Sequence, residues 1–165
     1  MKSLRIIALA STLFGLLSIS CSQAQKQKTQ EKETVRQVQK TKEEWKNQLS
    51  AQSYYVLREK GTERAFTSPL NANKQKGVYK CAGCGTELFS SQHKFESGTG
   101  WPSFYKPLVA KNVDEKADHD AGMVRTEVLC NVCGGHLGHV FEDGPAPTGL
   151  RYCLNGAALT FEKKD

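Results

Sequence analysis

Two C-x-x-C pairs, Cys81-Ala-Gly-Cys84 and Cys130-Asn-Val-Cys133, constrain this chain more than any other feature. Residues 85–129 separate them, so whatever closes the two pairs together must also bring distant segments of the fold into contact. Thiolates suit a borderline-soft ion, and two such pairs supply the four sulfurs that a closed tetrahedral zinc site takes. Two disulfides are the rival reading, which an exported chain in an oxidising compartment would allow. The knuckle-like spacing, with Gly83, Gly85, Gly134 and Gly135 in and after the pairs, favours the metal.

A tighter alternative uses Cys130, Cys133, His136 and His139, which recur at every third residue. Ligands so close in sequence wrap a tetrahedron poorly, and Cys81 and Cys84 would be orphaned. His136 and His139 therefore read either as site residues outside the metal shell or as hydrogen-bonded histidines beside a core strand.

Cys153 stands alone in Arg151-Tyr152-Cys153-Leu154-Asn155. If this run is a strand, Arg151, Cys153 and Asn155 share a face, because side chains alternate. A guanidinium beside a thiol favours the thiolate, the form of cysteine that attacks electrophiles, and Asn155 could bind a polar group. The other reading is a buried small hydrophobe, a common fate of free cysteine. In Phe95-Glu96-Ser97-Gly98-Thr99-Gly100-Trp101-Pro102-Ser103-Phe104, a Gly-rich turn delivers aromatics either to the core or to the wall of a pocket.

The remaining chain reads as one domain behind a leader and a tether. Lys2 and Arg5 precede an apolar run over residues 6–19, the pattern of an export signal spanning 1–20. Leu17-Ser18-Ile19-Ser20-Cys21 resembles a bacterial lipobox, although Ser18 stands where an aliphatic residue is usual; cleavage after Ser22-Gln23-Ala24 is the alternative. A lipidated Cys21 would anchor the protein to a membrane without crossing it. Residues 21–40, rich in Gln, Lys, Thr and Glu, read as a disordered polar linker, and 41–165 as the domain. The net charge of +6 does not signal nucleic acid: the leader supplies two of these charges and residues 21–43 three, leaving the domain nearly neutral.

Thr41-Lys42-Glu43-Glu44 is a capping box opening a helix with Trp45 and Leu49 on one face. A second helix over Gln52–Glu59 offers Tyr54, Leu57 and also Tyr55 to a core, and Gly61 ends it. Beyond Gly77 the period shortens to that of strands, at Gly77–Lys80, Glu87–Phe89, Met123–Leu129, Leu137–Phe141, Leu150–Leu154 and Ala158–Glu162. In the third of these, Val124, Thr126 and Val128 take one face and Arg125 and Glu127 the other, as in a half-buried strand. The expected fold is mainly β and mostly antiparallel, with short N-terminal helices.

Together these residues resemble the B-type methionine sulfoxide reductases. The resemblance covers about Glu43 to Glu162 and rests on Gly61-Thr62-Glu63, the Ser97–Phe104 block, His136-Leu137-Gly138-His139-Val140-Phe141, Arg151-Tyr152-Cys153-Leu154-Asn155-Gly156-Ala157 and both cysteine pairs. It implies two antiparallel sheets, a structural zinc ion on Cys81, Cys84, Cys130 and Cys133, and reduction of the R epimer of methionine sulfoxide in proteins. By the same resemblance Cys153 attacks the sulfoxide sulfur and becomes a sulfenic acid, while His139 and His136 donate a proton or orient a water. Asn155 and Arg151 position and polarise the site. Trp101 contacts the substrate methyl, with Phe141 and Asp143 also at the substrate side and Asp143 a candidate for orienting a histidine.

The chain departs from many such relatives at Thr99, where they carry a resolving cysteine. With four cysteines on metal and Cys21 lipidated or removed, Cys153 has no internal partner, which implies reduction by an external thiol or thioredoxin-like donor. The expected protein is a monomer acting outside the cytoplasm. A zinc-stabilised binding module using Trp101 and Phe104 as contact residues, and a thiol peroxidase, are the rival functions.

Overall fold

The computed structural model describes residues 35–165; the signal and most of the linker expected from the sequence lie outside them. Helix α1 (Lys42–Gln48) opens on the expected capping box, in which the Thr41 side chain accepts from the Glu44 main-chain N–H and the Glu44 carboxylate accepts from that of Thr41. Helix α2 (Ala51–Glu59) is capped by Ser50. It buries Tyr54, Val56 and Leu57, whereas Tyr55 is 49% exposed and covers Gly61 instead of reaching the core. The left-handed residue that stops the helix is Lys60, not Gly61. A single further turn, α3 (Pro69–Ala72), starts with Pro after a Ser68 cap.

Nine strands follow: β1 (Gly77–Cys81), β2 (Glu87–Ser90), β3 (Lys94–Phe95), β4 (Ser103–Phe104), β5 (Val113–Asp118), β6 (Arg125–Cys130), β7 (His136–Phe141), β8 (Arg151–Leu154) and β9 (Leu159–Lys163). They form two antiparallel sheets, β2-β1-β9 and β3-β4-β8-β7-β6-β5. An aromatic cluster joins the sheets. Phe104 of the larger sheet packs against Tyr79 and Phe89 of the smaller one at 4.9 and 4.8 Å between ring centroids, and Phe89 meets Tyr152 at 5.5 Å. Phe104 is fully buried, so it is a core residue and has no face left for a partner.

The sheets are also joined at one end by the cysteine pairs. Cys81 closes β1 and Cys130 closes β6. Each is followed by the same turn: Gly85 N–H donates to Cys81 O and Gly134 N–H to Cys130 O, both at 2.8 Å. Gly85 and Gly134 hold φ of 75° and 71°, a region that side chains other than glycine's rarely enter. The helices and the start of the described chain close over these turns. Gln48 donates to Gly83 O, Arg58 to Cys133 O and the Val38 N–H to Val132 O, while Arg36 bonds Asn131 and Asp114.

Two features of β6 and β7 set up the site. His139 lies three positions after His136, so strict alternation would put them on opposite faces. The register shifts by one residue on β7 there, pairing Val128 with Gly138 but Leu129 with His136, and this bulge returns both rings to one face. Glu127, expected on a solvated face, is on that same face and only 3% exposed, because Lys60 and both histidines cover it. Val124, expected inward, precedes the strand and is 74% exposed. Gly138 lets β7 lie close on β8: a Cβ there would stand 2.1 Å from the carbonyl oxygen of Cys153.

Candidate active site

Cys153 lies mid-strand on β8, with His139 directly opposite on β7 and Ser103 opposite on β4. Arg151 shares its face two residues earlier. A cavity of about 150 Å³ opens there, lined by Thr62, Trp101, Arg125, Gly138, His139, Phe141, Cys153, Leu154 and Asn155. Thus Trp101 walls a pocket rather than filling the core. Its indole Nε1–H donates to the Glu63 carbonyl (3.1 Å), which fixes the ring plane. Phe141 stands opposite Arg151, whose guanidinium lies over its ring at 4.4 Å.

His139 is oriented by a residue that sequence reasoning did not single out. Its Nε2 lies 2.7 Å from Asp118 Oδ2, an oxygen that Arg125 also contacts at 2.8 Å. The Asp120 main-chain N–H donates to the other oxygen of Asp118. That bond first, and the one from His139 next, hold the Asp118 carboxyl well below its usual range. Burial lowers the His139 pKa, and this outweighs the opposing pull of Asp118. His139 is therefore neutral near pH 7. Facing an acceptor-only carboxylate, its single proton resides on Nε2, which leaves Nδ1 as a lone-pair acceptor.

His136 is 3% exposed and does not line the cavity. Its Nδ1 lies 2.7 Å from Glu127 Oε1, and its ring meets His139 edge-on at 5.4 Å. Burial pushes the Glu127 carboxyl up, but the bonds from His136 and Lys60 overcome this and hold it below the ordinary value. His136 thus meets the cavity wall through the His139 ring.

Asp143 does not orient either histidine. It accepts two bonds from Arg151, to Nε and Nη2 at 2.8 Å each, in the fork geometry that suits a guanidinium. This raises the Arg151 pKa, with the Cys153 sulfur contributing, and lowers that of Asp143. Asn155 is a clamp more than a ligand. Its Oδ1 accepts from the Glu63 main-chain N–H (3.0 Å) and its Nδ2 donates to Leu137 O (3.1 Å).

Glu63 is the second residue that the sequence did not mark individually. It is 5% exposed, and its carboxylate accepts the Gly156 N–H at 2.6 Å and the Ala157 N–H at 2.8 Å. One residue therefore ties together Trp101, Asn155 and the turn that follows Cys153. Thr99 lies beside the thiol, its Oγ1 3.7 Å from Cys153 Sγ.

The paired cysteines meet as one cluster, all four sulfurs within 4.8 Å of one another. Cys81 and Cys133 stand 3.7 Å apart, and Cys84 and Cys130 3.6 Å. A tetrahedron with metal–sulfur bonds of about 2.3 Å has edges of roughly 3.8 Å, whereas a disulfide needs about 2.05 Å. The donor set thus fits a four-thiolate metal centre and leaves no position for substrate. The Cys130, Cys133, His136, His139 alternative fails, because the two histidine rings bond the carboxylates of Glu127 and Asp118 and the sulfur cluster is completed by Cys81 and Cys84.

A family model described as the SelR domain matches residues 49–163. Curated relatives include the peptide methionine sulfoxide reductase MsrB of Leptospira interrogans, 58% identical over 128 residues covering 78% of this chain and 98% of that protein. Those of Methanosarcina barkeri and Thiobacillus denitrificans, carrying the same description, are 59% and 58% identical and are covered to 90% and 96% of their length.

Proposed function

We infer that this chain, which belongs to the SelR-domain family and is a methionine sulfoxide reductase, acts on the R epimer of protein-bound methionine sulfoxide through Cys153. The observation that carries this reading is one cavity presenting a thiol, an aromatic wall and an oriented imidazole: Cys153, Trp101 and His139. With the substrate methyl on Trp101 and its oxygen toward His139, the sulfoxide sulfur faces Cys153 Sγ. Three fixed contacts around a stereogenic sulfur distinguish its epimers, and this arrangement is read as selecting R.

The step balances as an oxygen transfer. The Cys153 sulfur bonds the substrate sulfur as the sulfoxide S–O bond breaks; the oxygen then bonds Cys153, the transient S–S bond breaks, and Cys153 ends as a sulfenic acid while methionine leaves reduced. The thiol proton stays with the transferred oxygen. Because neutral His139 presents Nδ1 as an acceptor, it serves by holding a water or by taking up the thiol proton and returning it to the oxygen, an assistance of ~10²–10⁴-fold in typical cases. Arg151, kept charged by Asp143, offsets negative charge as the bond breaks.

The metal is read as zinc, held by Cys81, Cys84, Cys130 and Cys133; when bound it supplies structural closure and no Lewis-acid chemistry at the cavity. Oxidised proteins are the substrates, and a small thiol or thioredoxin-like donor is the reductant. The basic residues Lys2 and Arg5, the apolar run and the lipobox-like Leu17–Cys21 segment support an exported protein, anchored by lipid at Cys21 or soluble after cleavage, working as a monomer.

Among the described residues, Cys153 is the one cysteine outside the metal cluster. A single turnover without reductant should therefore leave Cys153 as a sulfenic acid, trapped by dimedone on its own peptide in a mass map. A disulfide joining Cys153 to another cysteine of the chain would refute the one-cysteine cycle.

A further inference from the structure

We propose that Ser97, Thr99 and Ser103 form a hydroxyl chain that holds the sulfenic oxygen of oxidised Cys153 until an external thiol arrives. The proposal rests on the sulfenic-acid cycle inferred above and assigns it a residence site. Thr99 Oγ1 lies 3.7 Å from Cys153 Sγ, Ser97 Oγ lies 2.8 Å from Thr99 Oγ1, and Ser103 Oγ lies 2.7 Å from Ser97 Oγ. Ser103 ends the chain 3.2 Å from the Trp101 carbonyl, and the Thr99 main-chain N–H points at Ser97 Oγ at 3.4 Å. Ser103 is 1% exposed, on the strand directly beside Cys153. A hydroxyl buried there without partners would be costly, and this chain satisfies it.

Proton counting makes the chain directional. The terminal carbonyl of Trp101 can only accept, so Ser103 donates to it, Ser97 donates to Ser103, and Thr99 donates to Ser97. Thr99 Oγ1 is then left with a free lone pair facing Cys153. In this orientation it accepts a proton-bearing neighbour, the S–H of the thiol before reaction and the S–O–H of the sulfenic acid after it. If the group becomes an anion, every hydroxyl can turn and Thr99 donates instead, at the loss of the 3.2 Å bond to Trp101. A hydroxyl at this position can bind the sulfenic acid and cannot displace its oxygen.

Holding the sulfenic acid protonated protects it, because the sulfenate anion is the nucleophile that peroxide traps. That loss balances as sulfenic acid plus hydrogen peroxide giving sulfinic acid plus water, and it is irreversible without a dedicated repair enzyme. The test begins with full-length protein oxidised by one equivalent of a blocked methionine-R-sulfoxide without reductant. Hydrogen peroxide is then added, and the sulfinic form of the Cys153 peptide is followed by mass against the dimedone-trappable fraction. Normalising to the sulfenic acid formed removes any effect on the first step. Thr99→Val should accelerate overoxidation about fivefold, the factor carried by one hydrogen bond of ordinary net strength, and Thr99→Ser should restore the wild-type rate. Equal rates for wild type and Thr99→Val, or a Thr99→Ser variant as fast as Thr99→Val, would overturn the proposal. Methionine production with no dimedone-trappable Cys153 in the wild type would overturn the sulfenic-acid reading itself, and the proposal with it.

Discussion

Cys81→Ser should lose its metal and its fold together, giving a protein without a cooperative thermal transition rather than a folded, slower enzyme. Structural zinc contributes ~10–16 kcal/mol of apparent binding free energy in small zinc domains. The net stability of a domain is about 5–15 kcal/mol, so removal of the ion consumes all of it. The geometry says why the damage spreads. Cys81 ends β1 in the small sheet and Cys130 ends β6 in the large one, so the cluster is a clamp between sheets. Around it close Gln48 of α1, Arg58 of α2 and the Val38 segment, each bonding a main-chain group of a cysteine turn. Metal content by atomic emission and unfolding by calorimetry, on the same preparation, decide the matter. A well-folded, active, metal-free variant would sink the structural assignment.

The second large effect should come from Glu63→Ala, a residue that touches neither the thiol nor the proposed substrate. Its carboxylate satisfies the buried N–H of Gly156 and the half-buried one of Ala157. Leaving a buried donor unsatisfied costs ~1–3 kcal/mol each, so a loss of about 3 kcal/mol is expected. That corresponds to a fall in Tm of roughly 10 °C. Activity should fall as well, because the carboxylate anchors the Glu63 main chain, whose own groups bond Trp101 and Asn155. Glu63→Gln should rescue little, since its NH₂ would face a donor N–H where a second oxygen is needed. A Glu63→Gln variant with wild-type Tm and turnover would contradict this role.

These two cases mark how far the sequence could be read. The cysteine knuckles were legible because their chemistry is local: each pair and its glycines lie within a few residues. Cys153, with Arg151 on its face, followed from strand alternation, and so did most of the longer strands. Val113–Asp118 was missed because its Asp, Glu and Lys content is unlike a strand; as an edge it needs an apolar pattern on neither face. β3 and β4 are two residues each, too short to show a period.

The unread part of the site is made of partnerships that only the folded chain creates. Asp118 looks like a solvated charge, yet it is what orients His139. Asp143, nearer in sequence, belongs to Arg151. Glu127 reads as the polar side of a half-buried strand, and that face proved to be the site. The bulge that brings His136 and His139 together has no local signal beyond Gly138. Glu63 lies within Gly61-Thr62-Glu63, but its role depends on Asn155, 92 residues away. Thr99 was marked by what it is not, a second cysteine, and the structure gives it a positive neighbour, the Cys153 sulfur.

The account stands or falls on Cys153 as the atom that takes the sulfoxide oxygen. The most direct test is turnover of the separated R and S epimers of a blocked methionine sulfoxide, with dithiothreitol as reductant and Cys153→Ser alongside. Turnover of the R epimer, none of the S epimer, and none of either by a folded Cys153→Ser variant is the predicted result. Reduction of the S epimer, or persistent turnover in Cys153→Ser, would contradict it.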